Sequence, residues 1–197
     1  MKFIVLEGID GSGLSTQSRL IAEYLTKKGK KVLLTKEPTN GEIGKIIRKI
    51  LNKEIYTDEV TLSLLFAADR MDHISKINFN DYDYVISDRY YFSNFAYQLS
   101  KKIDLNFLIN INKFAPKPDV VIFLDVNPEI CLKRIKERAN KNSKHIEIYE
   151  NIEKLKEIRK NFFEIFEKFK DIKILKINGE EKIENVNKEI LKALNFE

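Results

Sequence analysis

Short apolar runs rich in branched residues alternate along this chain with longer stretches whose apolar positions recur at three- and four-residue spacing. The runs are residues 3–7 (Phe-Ile-Val-Leu-Glu), 31–35, 84–87, 119–124 and 173–177. Helical patterns fill about 15–29, 41–52, 57–76, 93–115, 128–138, 150–170 and 181–194. Strands that are apolar at consecutive rather than alternate positions imply a sheet covered on both faces. Their alternation with helices predicts parallel βαβ units. The expectation is one α/β domain over residues 1–197, a central five-stranded parallel sheet with helices on both faces. No Gly/Ser/Pro-rich linker or internal repeat divides it. Residues 139–150 form a polar connection between two helices, so a short lid is expected at about 138–150.

In such a sheet ligands gather at the carboxyl ends of the strands. The polar clusters fall there: Asp10 after the first run, Lys36-Glu37-Pro38-Thr39 after the second, Asp88-Arg89 after the third. Between the first run and the first helix stands Gly8-Ile9-Asp10-Gly11-Ser12-Gly13-Leu14-Ser15-Thr16. This has the spacing of a phosphate-binding loop, G-x-x-x-x-G-K-[ST], with Leu14 where lysine belongs. The glycines let backbone N–H groups curl around an anion, and the following helix offers its positive end. Ser15 is placed to ligate Mg²⁺ through its hydroxyl, with Thr16 beside it, and Asp88 is a second metal candidate.

Further candidates lie on helices. Phe66 and Arg70, four residues apart, project side by side and suit a nucleobase, the ring stacking and the guanidinium donating to an exocyclic oxygen. Arg134 and Arg138, also four apart, precede the polar connection and are candidates for clamping phosphates. His73 and His145, the 2 histidines, share no metal spacing and are expected to be structural or solvated. Cys131 is the single cysteine, which excludes an intramolecular disulfide; it is expected to be buried.

Composition narrows the class. With 43% hydrophobic and 33% charged residues, the chain reads as globular and soluble. No apolar run approaches the ~18 residues of a membrane span, and no charged-then-apolar signal segment opens the sequence, so no membrane contact and a cytoplasmic location are expected. Net charge is +5, yet the 35 Lys and Arg are interspersed among 30 acidic residues, without a basic block or aromatic–basic platform. Nucleic acid is therefore not an expected partner. The surplus suits attraction of small polyanions into a cleft.

Taken together, these segments resemble the thymidylate kinase family of P-loop nucleoside monophosphate kinases. The resemblance rests on Glu7 to Gly13, Thr35-Lys36-Glu37-Pro38-Thr39, Gly44 to Arg48, Leu65-Phe66-Ala67-Ala68-Asp69-Arg70, Asp88-Arg89-Tyr90 with Ser93 and Ala96-Tyr97-Gln98, Pro118-Asp119 to Leu124-Asp125, and Leu132-Lys133-Arg134-Ile135. It implies a P-loop kinase fold, ATP and Mg²⁺ as cofactors, dTMP as substrate, and a homodimer. By the same resemblance Arg48 holds the acceptor phosphate with Glu37 organising the site, Phe66 stacks on thymine, and Arg70 bonds a base carbonyl. Tyr97 crowds the 2′ position with Gln98 beside it, and Arg89 bridges the two phosphates. Asp10 positions the reacting groups, Arg134 lies against adenine, and Arg138 reaches the transferring phosphoryl. Asp10, Arg89, Arg134 and Arg138 are thus the catalytic candidates.

Three positions depart from the family pattern: Leu14 for lysine, Lys36 for a frequent arginine, and Thr39 for a frequent glycine. Loss of a cation beside the outer phosphates removes several kcal/mol of charge stabilisation unless another group replaces it. Arg89, Arg134, Arg138 and Lys36 are the available substitutes. The expected reaction is transfer of the γ-phosphoryl of ATP to dTMP. The alternatives are a kinase with another (deoxy)nucleoside monophosphate or a nucleoside as acceptor, or a non-catalytic nucleotide-binding protein.

Overall fold

Five strands form one sheet because five apolar segments bury themselves between two layers of helices. The structure, a computed structural model, describes residues 1–142 and 147–196, with the backbone alone described at 141 and 142. His145 and the middle of the expected lid lie outside the described residues. The strands are β1 (Lys2–Glu7), β2 (Val32–Lys36), β3 (Tyr84–Asp88), β4 (Val120–Asp125) and β5 (Lys173–Asn178), in spatial order β2-β3-β1-β4-β5. All four pairings are parallel. The predicted sheet is therefore observed, each strand within two residues of its expected bounds.

The consecutive apolar residues serve two separate cores. On one face Phe3, Val5, Val85, Val121 and Phe123 pack with Phe92, Phe95 and Phe162. On the other, Ile4, Leu6, Ile86, Ile122 and Leu124 pack with Ile21, Leu25, Val186 and Ile190. Period-two alternation sends neighbouring side chains to opposite faces, so a strand buried on both must be apolar throughout. The edge strands β2 and β5 are more exposed, which explains their Lys and Thr positions.

The helices are α1 (Leu14–Lys27), α2 (Glu42–Leu51), α3 (Glu59–Ser75), α4 (Tyr91–Gln98), α5 (Leu105–Ile111), α6 (Pro128–Asn142), α7 (Ile152–Phe166) and α8 (Ile183–Ala193). Two differ from expectation. The stretch 93–115 is two helices, because Asp104 caps α5 by accepting the Phe107 N–H at 2.8 Å, and the Ser100 N–H turns back to the Ile103 carbonyl at 3.1 Å. A cap of this kind favours a new helix start over continuation. Helix α6 runs to Asn142 rather than 138, since Ala139-Asn-Lys-Asn holds neither proline nor glycine to stop it. The first part of the expected lid is thus helical. Among the described residues no helix is long and apolar enough to cross a membrane.

Candidate functional site

The parallel register brings the strand ends to one edge. Lys2 to Leu6 pair with Tyr84 to Asp88, and Val32 to Lys36 pair with the same residues from the other side. Glu7, Lys36 and Asp88 therefore finish together, and the loops that follow them share one wall.

The glycine turn is held by local geometry. Gly11 and Gly13 lie at φ +83° and +104°, where a side chain is strained; a Cβ on Gly11 would meet the Cys131 carbonyl oxygen at 2.6 Å. Cys131 itself is buried, as expected, and burial pushes its thiol up to about 12. Gly13 is the N-cap of α1, so the first N–H groups of the helix face the turn. Gly11 to Thr16 line a cleft with Ile9, Asp10, Lys36, Asp88, Arg89, Arg134 and Arg138. Leu14 also borders this cleft, but packs within the core beside Ile21 and Leu25 and is only 5% exposed. Gly8 sits against Ser12 and the Leu124 carbonyl.

Ser15 donates its hydroxyl to Asp88 Oδ2, and Lys36 Nζ stands 3.0 Å from Ser15 Oγ and 3.1 Å from Asp88 Oδ2. Asp88 Oδ1 is buried with no hydrogen-bond partner. A carboxylate oxygen of this kind beside a serine hydroxyl suits a hard divalent cation, which takes oxygen ligands and keeps waters and substrate phosphates for the rest. An ammonium standing at the same pair shows that the position attracts positive charge.

Arg89 is the hinge of the site. Its guanidinium donates to Asp10 Oδ1 at 2.7 Å, to the Gly8 carbonyl at 2.8 Å and to Ser93 Oγ at 2.9 Å. Burial works against its charge, but Tyr97, Asp10, Asp88 and Glu7 outweigh that and hold its pKa above the usual arginine range. Its backbone has φ +72°, uncommon for a non-glycine residue. Glu7 supports this conformation from below: its carboxylate accepts the N–H groups of Tyr90 (3.0 Å) and Ser93 (3.1 Å) and the Ser93 hydroxyl. Glu7 is wholly buried, and desolvation raises its pKa to about 7 against hydrogen bonds from Ser93 and the charge of Arg89, which lower it.

A second cleft opens on the other side of Arg89, lined by Asp10, Glu37, Phe66, Arg70, Tyr97 and Tyr149 among others. Arg70 is almost fully buried, 2.8 Å from Glu37 Oε2, donating to Asn112 Oδ1 and lying over the Tyr90 ring at 5.1 Å. Glu37 also meets His73 Nδ1 at 3.1 Å, while the other His73 ring nitrogen lies 2.6 Å from Thr35 Oγ1. His73 thus has a structural role, as expected. Asp69 fixes the loop after β2 by accepting the N–H and hydroxyl of Thr39, both at 2.7 Å. Arg48 donates to the Pro38 carbonyl at 3.2 Å and borders a third opening with Lys36, Glu37, Arg89 and Arg138.

Of the sequence-predicted residues, Asp10, Glu37, Phe66, Arg70, Arg89 and Tyr97 converge on one cleft, the glycine turn with Arg134 and Arg138 on the next, and Arg48 between them. Arg134 reaches the carbonyls of Gly11 (3.4 Å) and Gly179 (3.2 Å); Arg138 pairs with Glu150 at 2.7 Å. Gln98 lines neither of these two clefts. It is buried and exchanges hydrogen bonds with the Tyr149 hydroxyl, so it holds a lining residue in place. Sequence reasoning missed Asn94, whose amide nitrogen is buried without a partner at the second cleft, and Asn112, which accepts from Arg70 and donates to Asn94 Oδ1 at 3.0 Å. Two asparagines within apolar helices, α4 and the boundary of α5, were the available signal.

With this geometry in place, comparisons with known proteins are informative. A family model described as thymidylate kinase matches residues 6–190. A probable thymidylate kinase of Pyrococcus horikoshii is 42% identical over 203 aligned positions, covering 99% of this chain and 96% of that protein. One from Methanococcus aeolicus is 45% identical over 198 positions, covering 98% and 95%. The crystal structure of thymidylate kinase from Ehrlichia chaffeensis superimposes with a TM-score of 0.75 at 28% identity, covering 98% of each chain.

Proposed function

The chain belongs to the thymidylate kinase family, and on that premise we propose how its own residues carry the reaction. The protein is a nucleoside monophosphate kinase: it transfers the γ-phosphoryl group of ATP to dTMP, giving ADP and dTDP on the way to dTTP. In the proposed arrangement the glycine-turn cleft takes the phosphates of ATP and the smaller cleft takes dTMP.

The observation that carries this reading is the wall between the clefts. Asp10 and Arg89 line both, so two anionic nucleotides can lie end to end with one guanidinium facing both reacting phosphates. Phosphoryl transfer asks the protein mainly for positioning and charge neutralisation. Phe66 stacks on the base, and Arg70, pre-set by Glu37 and Asn112, donates to a base oxygen. Asn94 offers the unpartnered amide N–H. Tyr97 lies under Arg89, ring to guanidinium 5.1 Å, and closes the sugar side. Arg48 takes the acceptor phosphate, while Arg134 and Arg138 act from α6. Ser15 and Asp88 would hold Mg²⁺, which when bound neutralises charge on the donor phosphates.

Three further elements belong to this reading. The chain acts as one kinase domain over residues 1–197, with a lid at about 138–150. A homodimer belongs to the reading as well, and the exposed apolar residues Ile46 on α2 and Val60 and Leu64 on α3 are available to such a contact. A cytoplasmic location, with small molecules as the ligands, completes it. The test is Arg89→Met assayed for turnover and, by calorimetry, for each nucleotide separately. Loss of a transition-state charge contact is worth about 10²–10³ in kcat. Turnover within a few-fold of the parent would contradict the arrangement.

A further inference from the structure

Position 14 brings no cation to the glycine turn, since Leu14 is turned into the core. The three arginines bordering this cleft each have protein partners: Arg89 binds Asp10, Gly8 and Ser93, Arg134 binds Gly11 and Gly179, and Arg138 binds Glu150. Among the described residues lining the cleft, Lys36 is the only lysine. It comes from a different strand. In the β2–β3 register Lys36 is the partner of Asp88, which sends its ammonium across the turn to Ser15, the residue next to Leu14. Its side chain is 57% exposed, so the long stem is free to move toward a ligand while its charge stays inside the cleft.

We infer that Lys36 supplies from β2 the ammonium that the glycine turn lacks, contacting the outer phosphates of ATP. The inference rests on the proposed placement of ATP along that turn. In the transfer, the bond from the γ-phosphorus to the β,γ-bridging oxygen breaks and a bond to a dTMP phosphate oxygen forms. Negative charge gathers on the departing ADP oxygen. Lys36 keeps its proton throughout and offsets that charge, its exposed stem letting the ammonium leave Asp88 and Ser15 to the Mg²⁺ proposed there.

The test uses the full chain. Lys36→Met is titrated calorimetrically with ATP and AMP in EDTA, where no metal contributes, and assayed for turnover with Mg²⁺. Lys36 is exposed and Asp88 keeps the Ser15 hydroxyl after losing the ammonium, and a thermal melt checks that the fold is retained. A charge-assisted contact predicts ATP affinity weakened on the order of tenfold with AMP affinity unchanged, since AMP lacks the outer phosphates. Lys36→Arg retains part of the ATP affinity. In the Lys36→Met background, Leu14→Lys restores turnover, whereas the same change in the parent adds little. If Leu14→Lys fails to fold because its site is buried, the Met and Arg variants still decide. Equal weakening of ATP and AMP, or parental ATP affinity in Lys36→Met, overturns the inference. A parent that makes no dTDP would defeat the proposed function instead, and the ATP–AMP contrast would still judge Lys36.

Discussion

Glu7→Gln should change how stability depends on pH more than it changes stability itself. Glu7 is wholly buried beneath Arg89, and desolvation raises its pKa from 4.5 to about 7. A raised carboxyl pKa means the folded protein holds a proton that the unfolded chain releases. Its contribution is therefore fully present below about pH 4.5 and is lost as pH rises through about 7. That rise corresponds to roughly 3 kcal/mol. Glutamine keeps an oxygen for the N–H groups of Tyr90 and Ser93 and cannot ionise. Urea unfolding of parent and variant at pH 5 and pH 8 isolates the effect, because Glu147 and Glu150, also raised by burial, are common to both. The variant should gain about 2–3 kcal/mol on the parent between these pH values. Parallel pH profiles would refute the reasoning, showing that Glu7 ionises in the folded protein as it does in water.

Other perturbations follow from the same contacts. Arg70→Met leaves Glu37 buried without its guanidinium, at a cost of about 3–5 kcal/mol in denaturant unfolding, and should abolish measurable dTMP binding while the Glu37→Gln/Arg70→Met pair recovers part of the stability. Tyr97→Ala should raise turnover of ribothymidine monophosphate relative to dTMP; an unchanged ratio in competition assays would remove Tyr97 from sugar selection. Arg48→Ala should raise KM for dTMP at least tenfold, on the order of one charge-assisted contact, with ATP affinity intact by calorimetry. Chelation of divalent metal should stop dTDP formation and Mg²⁺ should restore it, with Asp88→Asn requiring higher Mg²⁺ than the parent.

Much of this architecture is legible in the chain because strands buried on both faces must be apolar throughout, as Phe3 to Leu6 and Val120 to Leu124 are. The glycine turn is legible for a similar reason: few sequences place Gly8, Gly11 and Gly13 between a strand and a helix without the backbone needing them. The break between α4 and α5 was hidden by apolar residues on both sides, although Asp104 followed by Phe107 is a capping signal. What the sequence withholds is register. Lys36 meets Asp88 and Ser15, and Glu7 meets Tyr90 and Ser93, because particular strands lie side by side. Arg70 meets Asn112 because α3 packs against α5. None of these pairs shares a sequence spacing from which it can be read.

The central claim is that two nucleotides share the wall made by Asp10 and Arg89, with thymidylate on the Arg70 side. Steady-state assay of the purified protein with ATP, Mg²⁺ and, in turn, dTMP, dUMP, dCMP and AMP tests it most directly. The account predicts dTDP formation with the highest kcat/KM for dTMP. No dTDP above background, or a preference for dCMP or AMP, would contradict it.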